Sequence, residues 1–333
     1  MRHSRLLIAA AFALALAVSI HLSGVAIPVL RRQRLQPPRI QSNGQKFAFA
    51  TFLSTRIQNT TEDDPYFTAA RVLAYQLLRH PTTRTNLHIP LLILTPPHIS
   101  QHKKDVLSRE GAIIVPVEPV DPAIDWLVPA AERWVDQFSK LRVLELTDYD
   151  RILYMDSDML LTRRLDDIFY EPVAQEVQHT KNIWSEIKED EGELPSTYLF
   201  AGVSDSGGSQ HETPPTEGVD LNGGFWLARP DAALFAYYRR VLEIPSRFDS
   251  SFMEQSLLTY VHRRHGNMPW RAFAMGRWNA NWPSARDIAH GTATLHDKFW
   301  DPANEAWIDR KPVEMWWRVQ GMMEGYWLRD AGR

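Results

Sequence analysis

Apolar residues along this chain fall into short continuous runs separated by segments of helical period. Phe47-Ala48-Phe49-Ala50-Thr51-Phe52-Leu53 is a compact apolar run rich in β-prone aromatics. Asp64-Pro65 then supplies a helix N-cap and a proline at the first helical position. Tyr66, Ala69, Ala70, Leu73 and Leu77 recur on one helical face, which predicts a helix of about four turns. Apolar runs return at residues 89–95, 112–117, 151–155 and 198–203. Between them, residues 100–110 form a polar helical segment that ends at Gly111. Residues 132–146 carry Trp134, Phe138, Leu141, Val143 and Leu144 near helical spacing and predict a further helix. Apolar strands alternating with helices define an α/β protein with a mostly parallel sheet buried on both faces. Ligands in such sheets bind beyond the carboxyl ends of the strands.

Three segments depart from this alternation. Residues 6–30 are an apolar run of 25 residues, interrupted mainly by Ser19, His21, Ser23 and Gly24 and flanked by arginines at both ends. A bilayer needs about 20 such residues, so residues 1–30 read as an N-terminal signal anchor. Ala15-Leu16-Ala17 offers the alternative of a cleaved signal peptide and a secreted protein. Residues 31–45, rich in Arg, Gln and Pro, read as a stem. Residues 46–333 are then one catalytic-size domain, and the sequon Asn59-Thr60-Thr61 suits a lumenal location for it. Within it, the pattern fades over residues 178–218. The acidic run 186–193 reads as a solvated face and the turn-rich 207–215 as part of a mobile insert. Loops of this kind serve as lids over a site.

Composition narrows the chemistry. There are 37 Lys and Arg against 40 Asp and Glu, a net charge of −3, which gives no electrostatic basis for a nucleic-acid partner. The absence of cysteine excludes disulfides, thiolate metal sites and cysteine nucleophiles. Of twelve tryptophans, eight lie between Trp270 and Trp327. Core packing is the expected use of Trp300, Trp307, Trp316, Trp317 and Trp327, with a ligand-binding groove as the alternative.

The candidate chemistry lies at the carboxyl end of the 151–155 run, in Asp156-Ser157-Asp158. Residues i and i+2 of extended chain project to one side, so two carboxylates are presented together. Hard divalent cations take oxygen ligands and leave room for substrate phosphates. A second pair, Asp148 and Asp150, precedes the strand and reads as a solvated turn.

Several segments then appear in a telling order. They are Lys140-Leu141-Arg142-Val143, the run from Tyr149 to Asp158, and Leu165-Asp166-Asp167-Ile168-Phe169. After these come Leu221-Asn222-Gly223-Gly224-Phe225-Trp226, Glu254-Gln255-Ser256-Leu257-Leu258 and Leu295-His296-Asp297-Lys298-Phe299-Trp300. Together they span about residues 46–300, and the set resembles glycosyltransferase family 8, the glycogenin-like retaining transferases, with a look closest to fungal members. The resemblance implies a GT-A fold, a Rossmann-like α/β/α sandwich with a mostly parallel mixed sheet. It implies a UDP-sugar donor, Mn²⁺ or Mg²⁺, and a glycan or protein acceptor. Asp156, Asp158 and His296 match the family's metal ligands. Thr51, Tyr66, Lys140, Ser157 and Lys298 match its nucleotide and phosphate contacts. Asn222, Glu254 and Gln255 match its sugar-pocket and catalytic positions. Two departures stand out: Glu254 replaces the family's usual Asp, and Lys298 falls earlier than the family's lysine. With the anchor, the implied setting is the Golgi membrane as a single-pass type II protein with a lumenal domain. Two other classes compete: a haloacid-type phosphatase with Asp156 as nucleophile, and a non-catalytic sugar-nucleotide or glycan-binding descendant.

Overall fold

The computed structural model describes residues 44–55, 64–120, 126–128, 130, 134–208, 210–301 and 309–332. The expected anchor, the stem up to residue 43, the Asn59 sequon and Trp307 lie outside the described residues. Among the described residues no helix is long and apolar enough to cross a membrane.

The expected alternation is present. In chain order come β1 (Phe47–Phe52), α1 (Pro65–Leu78), β2 (Leu91–Thr95), α2 (Gln101–Arg109), β3 (Ile113–Pro116), β4 (Arg151–Met155) and β5 (Met159–Leu161). The paired β6 (Gln178–His179) and β7 (Thr197–Tyr198) follow, then β8 (Phe200–Ser204) and β9 (Leu221–Ala228). Next are α3 (Ala232–Leu242), α4 (Glu254–Val261), β10 (Arg271–Ala272), β11 (Asn279–Asn281), α5 (Ala285–His290), β12 (Thr294–His296) and α6 (Arg310–Ala331). One expectation changes: residues 137–145 form a 3-10 helix, Gln137–Glu145, with no side-chain cap at Asp136.

The main sheet has the order β10-β8-β9-β4-β1-β2-β3. β9 pairs antiparallel with both β4 and β8, while the remaining pairings are parallel, so β9 alone runs against the rest. This is the mostly parallel mixed sheet expected. Alternate residues feed two cores. Ala48, Ala50, Ile152, Tyr154 and Trp226 face a layer with Phe138, Leu141, Tyr238 and Leu258. Phe49, Leu153, Met155, Phe225 and Leu227 face α1 through Phe67, Leu73 and Leu77. Burial on both faces explains the unbroken apolar runs.

A small second sheet, β11-β12-β5, closes beside the carboxyl end of β4. Gln76 on α1 secures β5: its amide donates to the Met159 carbonyl at 3.0 Å and its oxygen accepts from Leu161 N–H at 2.7 Å. Three of the late tryptophans follow the core expectation, whereas Trp317 departs from it and is 49% exposed. Trp316 is buried in a third cluster with Ala69, Leu160 and Leu295, and Trp300 and Trp327 pack against it.

The acidic run expected to face solvent is not wholly solvated. Glu191 is buried and accepts hydrogen bonds from Tyr237, from Tyr260 at 2.5 Å and from Arg247 at 3.0 Å. Three donors compensate the desolvated carboxylate. The 178–218 segment also contributes β8 to the main sheet.

Candidate functional site

β4 ends at Met155, and the chain bends so that Asp156 and Asp158 enter the space between the two sheets. The Asp156 N–H donates to the Gly224 carbonyl of β9 at 2.9 Å, which fixes the turn. His296 ends β12, where Asn281 and Met159 are its register partners. Its Nε2 lies 3.1 Å from Asp158 Oδ1 and 4.0 Å from Asp156 Oδ2. One ligand atom from each of the three residues falls within 4.8 Å of the others.

Gly224 makes this approach possible. A Cβ there would collide with His296 Cε1 and lie 2.8 Å from Asp156 Oδ2. A Cβ on Gly223 would lie 2.9 Å from both Gln255 Cβ and Glu254 Oε1. Close approach, rather than special backbone angles, is what these two glycines supply.

Lys140 is the electrostatic centre. It rises from the 3-10 helix Gln137–Glu145 and is fully buried. Its ammonium donates to Asp156 Oδ1 at 3.0 Å and to Glu254 Oε1 at 2.8 Å, and sits 5.1 Å from the Tyr154 ring centroid. Tyr154 OH donates to the same Asp156 oxygen at 2.7 Å. Burial disfavours the ammonium, yet the Asp156 and Glu254 carboxylates push its pKa above the ordinary value. Burial pushes the Glu254 carboxyl up, and Lys140 opposes that rise. Burial also works against an ionised Asp158, but the His296 imidazole and the Lys298 ammonium hold its carboxyl well below the usual range. Lys298 Nζ donates to Asp158 Oδ2 at 3.3 Å. The burial that lowers the His296 pKa is outweighed by Asp158, so it is raised overall.

These features fit a divalent metal. Two carboxylates and an imidazole nitrogen form a hard oxygen and nitrogen donor set. Two carboxylates close to one imidazole favour positive charge between the three groups. Asp156, Asp158 and His296 are therefore the residues that would hold an ion.

The three groups open into a cleft of about 640 Å³. Among the expected site residues, Tyr66, Lys140, Asp156, Ser157, Asp158, Asn222, Glu254, Gln255, His296 and Lys298 all line it. Gln255 accepts from Gly223 N–H at 2.8 Å, and Asn222 accepts from Gly224 N–H at 3.1 Å. Tyr66 meets Trp300 edge-on, with centroids 5.4 Å apart. Thr51 requires correction: it is wholly buried inside β1 and does not reach the cleft. Leu53, Ser54 and Thr55 line the cleft instead, because β1 runs on past Thr51 to Phe52 before the chain opens.

Sequence reasoning missed Asp205, Asn281, Trp282, Trp134 and Phe252, all of which line the cleft. Asp205 accepts from Asn281 Nδ2 at 2.6 Å and from Asn222 Nδ2 at 3.4 Å, which joins it to the expected Asn222. Nothing in its turn-rich neighbourhood marks it. The polar pair in Asn279-Ala280-Asn281 was the only local signal, since two buried asparagines in one short strand need partners.

No family model matches the sequence. An uncharacterized protein of Schizosaccharomyces pombe, C5H10.12c, is 30% identical over 301 residues, covering 82% of this chain and 79% of that protein. Galactinol synthase 1 of Solanum lycopersicum is 24% identical over 182 residues, covering 51% of this chain and 49% of the synthase. Among solved structures, the glycosyltransferase GlyE of Streptococcus pneumoniae superposes with a TM-score of 0.51 at 15% identity, covering 86% of this chain and 64% of GlyE. That likeness is one of fold, and the α/β architecture with its mostly parallel mixed sheet matches the GT-A glycosyltransferases. Identity of 30% over most of both chains goes further, and this chain belongs to the same family as the fission-yeast protein.

Proposed function

We propose that this protein is a metal-dependent, retaining glycosyltransferase of family 8. It moves a hexose or N-acetylhexosamine from a UDP-sugar to a hydroxyl of a glycan or protein. The observation that carries this reading is the convergence of Asp156, Asp158 and His296 with Lys140 and Lys298 in one cleft. The GT-A fold and the partial likeness to galactinol synthases support it.

In the reaction, the bond between the anomeric carbon and the diphosphate oxygen breaks, and its electron pair leaves with UDP. The acceptor hydroxyl oxygen bonds to the anomeric carbon, and its proton passes to the departing diphosphate. The ion held by Asp156, Asp158 and His296 would neutralise charge on the diphosphate. Lys298 adds a cation at the same edge, and Lys140 fixes Asp156 and Glu254 in place. A preorganised array of this kind stabilises developing charge without reorganisation. Asn222, Gln255 and Glu254 line the space for the donor sugar. Glu254 is tied to the Lys140 ammonium at 2.8 Å, which weakens it as a nucleophile. That contact favours electrostatic support of the sugar and attack from the leaving-group face. Asp156 Oδ1 accepts from both Tyr154 and Lys140, which suits a metal ligand better than a phosphatase nucleophile. The apolar run at residues 6–30 supports placing the domain in the Golgi lumen behind a signal anchor.

Calorimetric titration with UDP in Mn²⁺ and in EDTA tests the reading, followed by UDP-sugar hydrolysis across a donor panel. We expect binding that needs the metal and weakens by about tenfold or more in Asp158→Asn. UDP binding indifferent to both changes, or no binding by the folded protein, would sink it.

A further inference from the structure

The cleft carries aromatic surface that chemistry at the diphosphate does not use. Phe252 is 53% exposed and Trp282 is 38% exposed, and both line the cleft. Trp134 backs Phe252, with rings 6.1 Å apart and tilted by 39°.

The backbone holds these rings at a cost. Trp282 has a φ of 55°, a left-handed conformation that is strained for a bulky side chain. Its surroundings enforce it. Asn281, the residue before, is buried and bonded to Asp205 and Ser206. The Trp282 N–H donates to the His296 carbonyl at 3.3 Å. An exposed indole is thus anchored beside the strand that carries His296. The same device recurs at Met253, which is buried with a φ of 49°. The reversal leaves Phe252 exposed while Glu254 turns in to Lys140. Two strained residues therefore each display an aromatic ring in the cleft. Core packing explains neither, and exposed aromatic surface inside a cleft that also carries convergent polar groups marks a binding site.

We propose that Trp282 and Phe252, with Trp134 behind, form the acceptor subsite, and that its ligand is a pyranoside. This rests on the transferase reading above. A pyranose ring has apolar C–H faces and a rim of hydroxyls. Laying a C–H face on the indole removes apolar area from water and meets the negative face of the ring. The hydroxyl rim stays free for polar groups such as Asp205 and for attack on the donor sugar.

The test uses the full chain loaded with Mn²⁺ and UDP. The probes are methyl β-D-glucopyranoside, methyl β-D-galactopyranoside and methyl N-acetyl-β-D-glucosaminide, read by saturation-transfer NMR, with UDP affinity measured separately by calorimetry. We expect at least one glycoside to bind the wild type. Its affinity should fall by about tenfold in Trp282→Ala and in Phe252→Ala, and recover in part in Trp282→Phe. The subsite is overturned if UDP and Mn²⁺ bind but no glycoside does, or if Trp282→Ala binds glycoside as the wild type does. It is also overturned if Trp282→Ala weakens UDP as much as glycoside, or if transfer goes to a polypeptide side chain without glycoside binding. Failure of UDP to bind the wild type brings down the transferase reading instead, and the subsite with it.

Discussion

Gly224 shows how one missing side chain can build a site. Its bare Cα lets His296 and Asp156 close on each other, and any Cβ would occupy that space. Gly224→Ala should lower Mn²⁺ affinity by about tenfold or more while leaving the far-UV circular dichroism spectrum unchanged. Mn²⁺ titration by calorimetry or electron paramagnetic resonance reads this directly, and wild-type affinity in the variant would refute it. At this scale the sequence was legible where residue type and strand position coincided. Asp156 and Asp158 stood out because they follow four apolar residues, whereas Asp148-Tyr149-Asp150 precedes the strand. Asp150 indeed serves a turn, accepting from the Lys46 N–H at 2.6 Å. Asp205 was illegible because its role is set by Asn281 and Asn222, neither of which is near it in sequence. Thr51 was misplaced because an apolar run does not reveal at which residue a strand leaves its sheet.

Among the elements, α1 was the most readable. Asp64 Oδ1 accepts from the Tyr66 and Phe67 N–H groups at 3.1 Å, and Pro65 occupies the first turn. Its other oxygen does a second job that the sequence did not announce, pairing with the buried Lys103 ammonium at 2.5 Å. Asp64→Ala removes the cap and leaves that ammonium buried without its carboxylate. We expect a loss of about 3 kcal/mol or more in denaturant unfolding. Asp64→Asn retains the cap oxygen and should recover about 1 kcal/mol of it. A loss below that of an ordinary exposed cap would show the pair to be unimportant. Other elements resisted reading. The 137–145 segment has helical spacing but no capping side chain, and tertiary contacts of Lys140 and Phe138 settle it as a 3-10 helix. The second sheet went unseen because β5, β11 and β12 have three residues each, too few to show a period.

Across the molecule, rings stack in a column beneath the cleft. His262 lies 4.2 Å from Phe200, Phe200 lies 5.3 Å from Trp226, and Trp226 lies 4.9 Å from Tyr154, all centroid to centroid and nearly parallel. Trp226 Nε1 donates to the Gly223 carbonyl at 3.0 Å, so the column meets the site twice. At its far end His262 is buried, bonded to the Met268 carbonyl at 2.7 Å and to Tyr238. Burial lowers its pKa from 6.5 to about 4. Between those values the unfolded chain binds more protons, so stability rises with pH across the window and is lost as pH falls through it. The shift corresponds to about 3 kcal/mol. Urea unfolding at pH 7, 5.5 and 4.5 should show that slope, and His262→Phe should flatten it even though the variant is less stable overall. An unchanged slope in His262→Phe would assign the acid sensitivity elsewhere.

The candidate metal site joins distant parts of the chain: Lys298, two residues beyond His296, is 140 residues from its partner Asp158. Such a junction carries a loop-closure cost that its contacts must repay. A cation seated there would also act as a clasp, tying β12 to the end of β4 and penalising any opening that parts them. Affinity for the ion and resistance of the second sheet to local unfolding are then two readings of one free energy.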